Sequence, residues 1–367
     1  HRLEGLVVDA VGCYSPSLAE EPVMEVFEEA LNEAGVPSWR QPVETGDGED
    51  RQRANLLVQA GPEPTALLLV GHVDTIPLRH DEELKVRREG DLLYGLGAAD
   101  MKAGCAAMVE AVSALKASKV PLKRGLKVAL VVGEEELGDG SEAVAEVLDA
   151  PLTVIGEPTG LLPCTSHNGY LEYRLAAEGR RVHAALPEAG DNAIHTMLAW
   201  ITDILRRAER LPPGREAAVS LREIRGGTGM FVTADHCEAL LDVHLPPGVD
   251  HSLVAAMLQD ARSGLSSGRS VQAYFDELFW APGYATDPRD PRLDPLRRSF
   301  EAAELDWQPS TFRSHSDAPI LHAAGTLPVV CGPGRLEVAH TRFEHVSMSE
   351  VRRAARLYSA MICAACT

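Results

Sequence analysis

Short apolar runs alternate with segments of helical periodicity through the first 160 residues of the chain. Strands are predicted where the apolar runs occur, at residues 53–60, 65–74, 126–132 and 152–155. Helices are predicted where apolar positions recur every three or four residues, at 19–35, 101–118 and 141–149. Strands that alternate with helices favour a mainly parallel sheet with helices on both faces, in which sites form at the carboxyl ends of the strands.

After residue 169 the pattern changes to that of a small α+β domain with an antiparallel sheet. Strands are predicted at 170–179, around Arg222, around Leu241 and at 271–279, and helices at 192–211 and 253–265. A segment rich in Pro and Asp then starts near Pro282. Beyond it, a predicted helix, strand and helix resume the alternating pattern of the first 160 residues. The sequence predicts an α/β domain of residues 1–169 and 282–367, interrupted by an inserted domain of residues 170–281.

Composition and charge exclude some classes of binding partner and indicate a cellular compartment. Among the 367 residues, 35 Lys and Arg stand against 54 Asp and Glu, for a net charge of -19. Because nucleic-acid binding needs basic clusters, a nucleic-acid partner is not expected. No apolar run approaches the roughly 20 residues that a membrane span needs, so no membrane partner is expected. Seven cysteines without disulfide-framework spacing suggest a reducing cytoplasm.

The end of the strand at 65–74 carries an imidazole and a carboxylate two residues apart. His72 and Asp74 therefore leave the same face of that strand. This spacing suits a metal-binding imidazole beside a carboxylate that orients its ring. An ordinary polar strand end is the alternative interpretation.

Acidic groups follow the next strands in the same way. Glu134, Glu135 and Glu136 follow the strand at 126–132, where their mutual repulsion is costly unless a cation or a proton neutralises them. Glu157 follows the strand at 152–155, and His340 follows a later strand and a Gly-Pro-Gly turn. Asp100 precedes the helix at 101–118, where it could also be an N-cap. Together, acidic and imidazole groups at five successive strand ends of one parallel sheet are what a two-metal hydrolytic site requires.

The chain resembles a known family over nearly its whole length. Six motifs occur in the order and approximate spacing of that family: GHVDT, LYGLGAADMKAG, a Glu-Glu pair, GEPT, GRRVHAALPEAGDNAIH and GPGRLEVAHTRFE. The family is the co-catalytic zinc amidohydrolases, which include acetylornithine deacetylase, succinyl-diaminopimelate desuccinylase, aminoacylase and bacterial glutamate carboxypeptidase. The resemblance implies two Zn²⁺ ions, with Co²⁺ or Mn²⁺ as possible replacements.

The resemblance also implies roles for individual residues. It implies that His72 and Glu157 bind one ion, that Glu136 and His340 bind the other, and that Asp100 bridges them while Asp74 orients His72. Glu135 is then the general base that takes a proton from the activated water and returns it to the leaving nitrogen. A register one residue earlier, with Glu134 and Glu135 as the pair, stays open.

The inserted domain both matches and departs from the family. His183 matches a histidine that, in dimers, reaches the neighbouring site and stabilises the oxyanion, so the resemblance implies a homodimer with a dimerisation or lid domain. Phe231 and His244 stand where the family commonly has Asn and Arg that contact substrate. Arg222, Arg225 and Arg313 are alternative anchors for a substrate carboxylate, because Arg binds carboxylates bidentately.

The resulting hypothesis is a cytoplasmic, metal-dependent amide hydrolase that removes an acetyl or succinyl group from an N-acyl amino acid. A dipeptidase or aminopeptidase of the same family, acting on a short peptide, is the nearest alternative. A catalytically silent dimeric binding homologue is an alternative of another class, and Phe231 and His244 motivate it.

Overall fold

The computed structural model describes residues 2–44, 53–147, 149–211, 217–265 and 272–367. Its helices are α1 (Arg2–Gly12), α2 (Glu21–Glu33), α3 (Ala103–Ser118), α4 (Asp139–Glu146), α5 (Ala193–Ala208), α6 (Ser252–Ser263), α7 (Asp294–Ala302), α8 (Ala318–Ala323) and α9 (Met348–Cys366). Its strands are β1 (Ser38–Pro42), β2 (Ala54–Ala60), β3 (Thr65–His72), β4 (Arg87–Glu89), β5 (Leu92–Tyr94), β6 (Gly125–Val131), β7 (Leu152–Pro158), β8 (Cys164–His167), β9 (Gly169–Glu178), β10 (Ala218–Gly226), β11 (His236–Leu245), β12 (Gln272–Ala281), β13 (Tyr284–Ala285), β14 (Ser310–Phe312), β15 (Leu327–Gly332) and β16 (His345–Ser347). Two predicted positions, residue 148 of the helix at 141–149 and residue 271 of the strand at 271–279, lie outside the described residues.

The chain divides into two compact units. The first comprises His1–Ser166, Thr286–Phe312 and Ser316–Thr367, and the second comprises His167–Ala285 and Arg313–His315. The predicted boundaries at 169/170 and 281/282 lie a few residues away from these divisions. The short segment Arg313–His315, which joins the second unit, was not anticipated.

The main sheet of the first unit is mixed, with a parallel centre. Within the first unit its strands run in the order β1-β2-β6-β3-β7-β15-β8, and β14 pairs with β8. The pairs β6–β3, β3–β7 and β7–β15 are parallel, and the pairs toward both edges are antiparallel. Every residue of β3, β7 and β15 is buried, as expected for parallel strands with helices on both faces. The predicted fold class is therefore confirmed, with antiparallel edge strands added.

The parallel centre determines where polar side chains can meet. Because β6, β3, β7 and β15 run in one direction, their carboxyl ends lie at the same edge of the sheet. A core that includes side chains of α1, α2, α3 and α9 packs with these strands. Residues that follow the four strands are thus gathered at the ends of almost fully buried strands, with Lys127 of β6 half-buried.

The second unit is a four-stranded antiparallel sheet in the order β10-β11-β9-β12. Side chains of β9 and β11 alternate between buried and half-buried positions. The buried side chains lie on one face of the sheet, and that face packs on α5 and α6. Asn192 caps α5 by accepting hydrogen bonds from the backbone N–H groups of Ile194 and His195. The predicted α+β character of the inserted domain is confirmed.

None of the helices in the described part of the chain combines the length and the apolar character that a bilayer crossing requires.

A buried ion-pair network joins the start of α2, β2 and the start of α4. The Arg53 side chain is 3% exposed and donates to both carboxylate oxygens of Glu20, at 3.1 and 2.7 Å, and to Asp139. We expect Arg53→Ala to lower the free energy of unfolding by about 3–5 kcal/mol, because it leaves buried carboxylates unpaired. Chemical denaturation measures the change. Arg40→Ala is the matched control, since Arg40 pairs with Glu21 and Glu28 nearer the surface and should cost only about 0–1 kcal/mol. Equal losses would contradict the expectation.

Candidate active site

His72, the last residue of β3, faces three carboxylates and is 1% exposed. Its Nδ1 lies 3.1 Å from the backbone oxygen of Asp74, which leaves Nε2 for the opposite side. That Nε2 atom is 3.1 Å from Asp100 Oδ1, 3.6 Å from Glu157 Oε1 and 3.9 Å from Glu134 Oε2. Burial opposes protonation of His72, but Glu157 and the other neighbouring carboxylates raise its pKa well above the usual value. Because a cation can replace that proton, the surroundings suit a metal-binding imidazole.

Asp74 links the β3 end to the glutamate turn that follows β6. It is fully buried, and its Oδ2 accepts hydrogen bonds from Ser17 Oγ at 2.7 Å and from the backbone N–H of Glu135 at 3.0 Å. Its Oδ1 accepts from the backbone N–H of Glu134 at 3.2 Å. Burial opposes ionisation, yet the contact with His72 and these donors lower the pKa of Asp74. Asp74 therefore stays charged and fixes both His72 and the turn.

The geometry of the glutamate turn favours the register that stayed open, with Glu134 and Glu135 as the pair. Glu134 is buried, and Glu135 Oε1 lies 3.1 Å from His340 Nε2, whereas Glu136 is exposed. The physical reason is the pair of hydrogen bonds from the backbone N–H groups of Glu134 and Glu135 to Asp74, which hold these two residues against the site. Glu135, and not Glu136, is thus the glutamate that meets His340.

Asp100 lies in the turn Ala98–Lys102 directly before α3, and its own backbone is not helical, with φ of -119° and ψ of 96°. Its Oδ1 is 3.1 Å from His72 Nε2 and its Oδ2 is 3.4 Å from His340 Nε2, so its two oxygens face different histidines. The expectation that it ends a strand of the parallel sheet is wrong, because β5 before it belongs to a separate small sheet with β4 and β16. The N-cap alternative also fails, since Lys102 occupies the N-cap of α3 and no side chain caps it.

Glu157 and His340 complete the arrangement from two neighbouring strands. Glu157 belongs to β7, and its buried Oε1 has no hydrogen-bond partner in the described part of the chain. Burial raises the pKa of Glu157 to about 8. His340 follows β15 and has a left-handed backbone, with φ of 59°. The unpartnered Oε1 of Glu157 matters for the site, because a buried carboxylate oxygen without a hydrogen-bond partner is costly unless a cation lies against it.

Within the described part of the chain, the side chains form three overlapping groups that could hold a metal ion. In each group the ligand atoms all lie within 4.8 Å of one another: His72, Glu134 and Glu135; His72, Asp100 and Glu157; and Asp100, Glu135 and His340. Asp100 belongs to two of them. Imidazole nitrogens combined with carboxylate oxygens are a donor set suited to zinc and similar divalent ions. The residues present therefore fit the implied pair of ions.

The remaining expected residues lie in the second unit. His183 is exposed, and its Nδ1 accepts a hydrogen bond from the backbone N–H of Ala185 at 3.1 Å. Phe231 is 86% exposed. Both residues belong to the second unit, whereas all residues of the metal-binding groups belong to the first, so the expected role of His183 rests on the family resemblance alone.

The arginines considered as anchors differ in their contacts. Arg222 pairs with Glu172 at 2.7 Å, and Arg225 pairs with Glu223. Arg313 is exposed and makes no ion pair with any described residue. Burial and the charge of Arg313 lower the pKa of His244, whose buried Nδ1 has no hydrogen-bond partner among the described residues. Of the three arginines, Arg313 alone has no carboxylate partner among the described residues.

The sequence analysis did not predict two residues that support the site. Ser17 donates to Asp74, and the buried Glu344 accepts backbone N–H groups next to Asp100. Glu344 stood inside the motif GPGRLEVAHTRFE, four residues after His340, and that position was the available signal.

The α/β sheet has a parallel centre, and imidazoles and carboxylates meet at one of its edges. Together with the sequence similarities of the chain, this arrangement identifies a metal-dependent hydrolase that acts on amide bonds. Residues 68–364 match the sequence profile of peptidase family M20/M25/M40, and the chain belongs to this family. The resemblance inferred from the motifs is confirmed.

Individual relatives agree in fold but differ in activity. The chain is 26% identical to an acetylornithine deacetylase from Photorhabdus laumondii subsp. laumondii, over 94% of this chain and 90% of the relative. It is similar in structure to aminopeptidase PepT from Bacillus cereus, with a TM-score of 0.77 and 21% identity over 99% of this chain and 98% of that one. It is also similar to the Bacillus subtilis protein YXEP, described as a dinuclear metal-binding peptidase, with a TM-score of 0.69 and 14% identity over 98% and 96% of the two chains. The two structural similarities establish the fold.

Proposed function

We propose that this hydrolase removes an acyl group of the acetyl or succinyl type from an N-acyl amino acid. The observation that carries the proposal is Asp100, whose two carboxylate oxygens face two histidines at the edge of the sheet. The deacetylase relative, which is aligned over most of both chains, supports the choice of an acyl amino acid over other amides.

We infer that the resident ions are two Zn²⁺, which Co²⁺ or Mn²⁺ could replace. His72, Asp100 and Glu157 would hold one ion, and Asp100, Glu135 and His340 the other. When bound, such ions polarise a carbonyl and make a water available as hydroxide near neutral pH. The orphaned Oε1 of Glu157 and the shared position of Asp100 support this assignment.

Glu134 takes the role of general base in this proposal, and Glu135 becomes a ligand. Glu134 is buried beside His72, and burial together with the charges of Glu157 and Glu135 raises its pKa well above that of a free glutamate. A raised pKa suits a group that accepts the proton of the attacking water and returns it to the leaving nitrogen. Asp74 acts indirectly, because it holds the backbone of this turn and the ring of His72.

A panel of substrates tests the proposed reaction. Acetyl-, succinyl- and aminoacyl-amino acids are compared by kcat/KM on the zinc-loaded full chain. The proposal expects the highest value for an acetyl or succinyl substrate. A preference for the aminoacyl-amino acids, which are dipeptides, would support the peptidase alternative, which the similarity to an aminopeptidase favours. Absence of turnover with two bound ions would support the silent binding homologue.

Arg313 is the proposed anchor for the carboxylate of the substrate. We expect Arg313→Ala to raise KM by roughly tenfold to a hundredfold with little change in kcat, because it removes a charge-assisted contact. The effect should disappear when the substrate carboxylate is replaced by a carboxamide. Arg222→Ala is the matched control, since Arg222 is already paired with Glu172. A larger KM effect in the control would transfer the role to Arg222.

A homodimer and a catalytic role for His183 complete the proposal. His183 is exposed, so its imidazole can be reached by another copy of the chain. Light scattering should give twice the chain mass of 39.5 kDa, and a monomeric mass would rule out a role for His183 across subunits. All seven cysteines are free, which supports a reducing compartment such as the cytoplasm.

A further inference from the structure

The side chain of Glu344 is buried against the turn that carries Asp100. Glu344 is 3% exposed and lies between the His340 loop and β16. Its Oε1 accepts hydrogen bonds from the backbone N–H groups of Ala99 at 2.9 Å and Asp100 at 3.1 Å. Its Oε2 accepts from the backbone N–H of Gly97 at 3.1 Å.

The main chain of Glu344 strengthens the same connection. The backbone oxygen of Glu344 accepts a hydrogen bond from the N–H of Gly95 at 3.2 Å. Its own N–H donates to the backbone oxygen of Thr341 at 3.0 Å, one residue after His340. Glu344 thus binds the segment from Gly95 to Asp100 at four N–H groups, and it does so from the loop that carries His340.

The geometry has a direct consequence for Asp100. The backbone at Asp100 is not helical, so the N–H groups of this turn take the Glu344 carboxylate as their acceptor, and a buried N–H group is costly to leave unpaired. Asp100 Oδ1 and Oδ2 face His72 and His340 at 3.1 and 3.4 Å, so a rotation of this backbone would displace both contacts together.

We propose that Glu344 is a positioning residue that fixes the backbone of Asp100 and thereby sets the affinity for both divalent ions. This inference rests on the proposed function, in which Asp100 is shared by the two ions. It predicts that loss of Glu344 weakens two binding steps, although Glu344 itself belongs to none of the three metal-binding groups found among the described residues.

Titration of the chelator-treated full chain with Co²⁺, followed by visible absorption, tests the proposal. Glu344→Gln should weaken both binding steps by roughly 10–100-fold, the usual effect of losing a residue that supports metal ligands. The amide keeps the shape of the side chain and one acceptor oxygen, so this variant should fold. Glu344→Ala should have the larger effect, and partial rescue by Gln relative to Ala is expected.

Glu350→Gln is the matched control. Glu350 Oε2 also accepts a backbone N–H, from Gly334 at 3.3 Å, and among the described residues no hydrogen bond joins its side chain to the Asp100 turn. Its Co²⁺ affinities should equal those of the wild type.

Three results would overturn the proposal. The first is a Glu344→Gln variant with wild-type affinities, even if its thermal midpoint falls, because that would show a structural role only. The second is a weakening confined to one step. The third is a wild-type chain that binds fewer than two Co²⁺ ions, which would overturn the proposed function as well. Two ions on the wild type with unchanged variants would refute the positioning role alone.

Discussion

Glu134→Gln is expected to lower kcat by a factor of about 10²–10⁴, while both metal ions stay bound. The amide cannot take up the proton of the attacking water, but it is nearly isosteric with the carboxylate. The site should therefore keep its shape, since Glu134 is held through its backbone N–H by Asp74. Steady-state kinetics and metal analysis of the same preparation give the two readouts.

The matched control for this variant is Glu136→Gln. Glu136 is exposed and belongs to none of the metal-binding groups in the described chain, so its activity and metal content should equal those of the wild type. The opposite result, loss of a metal ion in Glu136→Gln together with normal turnover in Glu134→Gln, would restore the later register that the sequence suggested.

Asp100→Ala is expected to abolish turnover and to release both ions. Asp100 provides one oxygen to each of two metal-binding groups, so its removal leaves each ion with fewer ligands. The affinity for each ion should fall by more than the roughly 10–100-fold that loss of a mere supporting residue costs. Metal content after dialysis measures the loss.

His340→Ala separates this shared role from a simple loss of one ligand. His340 belongs to only one of the groups that contain Asp100, so this variant should keep one tightly bound ion. If Asp100→Ala also kept one ion with wild-type affinity, Asp100 would be a ligand of a single metal and the bridging role would be refuted.

The strand ends were predictable because β3 and β7 are continuous apolar runs that end in polar groups. Burial on both faces produces such runs, and the first polar residue after them marks the edge of the sheet. The pattern therefore placed His72, Asp74 and Glu157 at this edge, whereas their expected roles came from the family resemblance.

The register of the three glutamates could not be predicted in this way. The side chain that faces His340 is decided by hydrogen bonds from the turn to Asp74, which lies 60 residues earlier in the chain. No local pattern encodes this contact. The supporting role of Glu344 was not predicted for a related reason. Its carboxylate accepts from backbone N–H groups that are 244 to 247 residues away in sequence, and backbone groups have no side-chain pattern to recognise.

A crystal structure of the zinc-loaded protein, with anomalous scattering to locate the ions, tests the central claim most directly. We predict two Zn²⁺ ions per chain, both bound by Asp100, one with His72 and Glu157 and the other with Glu135 and His340. A single ion, or a pair in which Asp100 touches only one, would contradict the account.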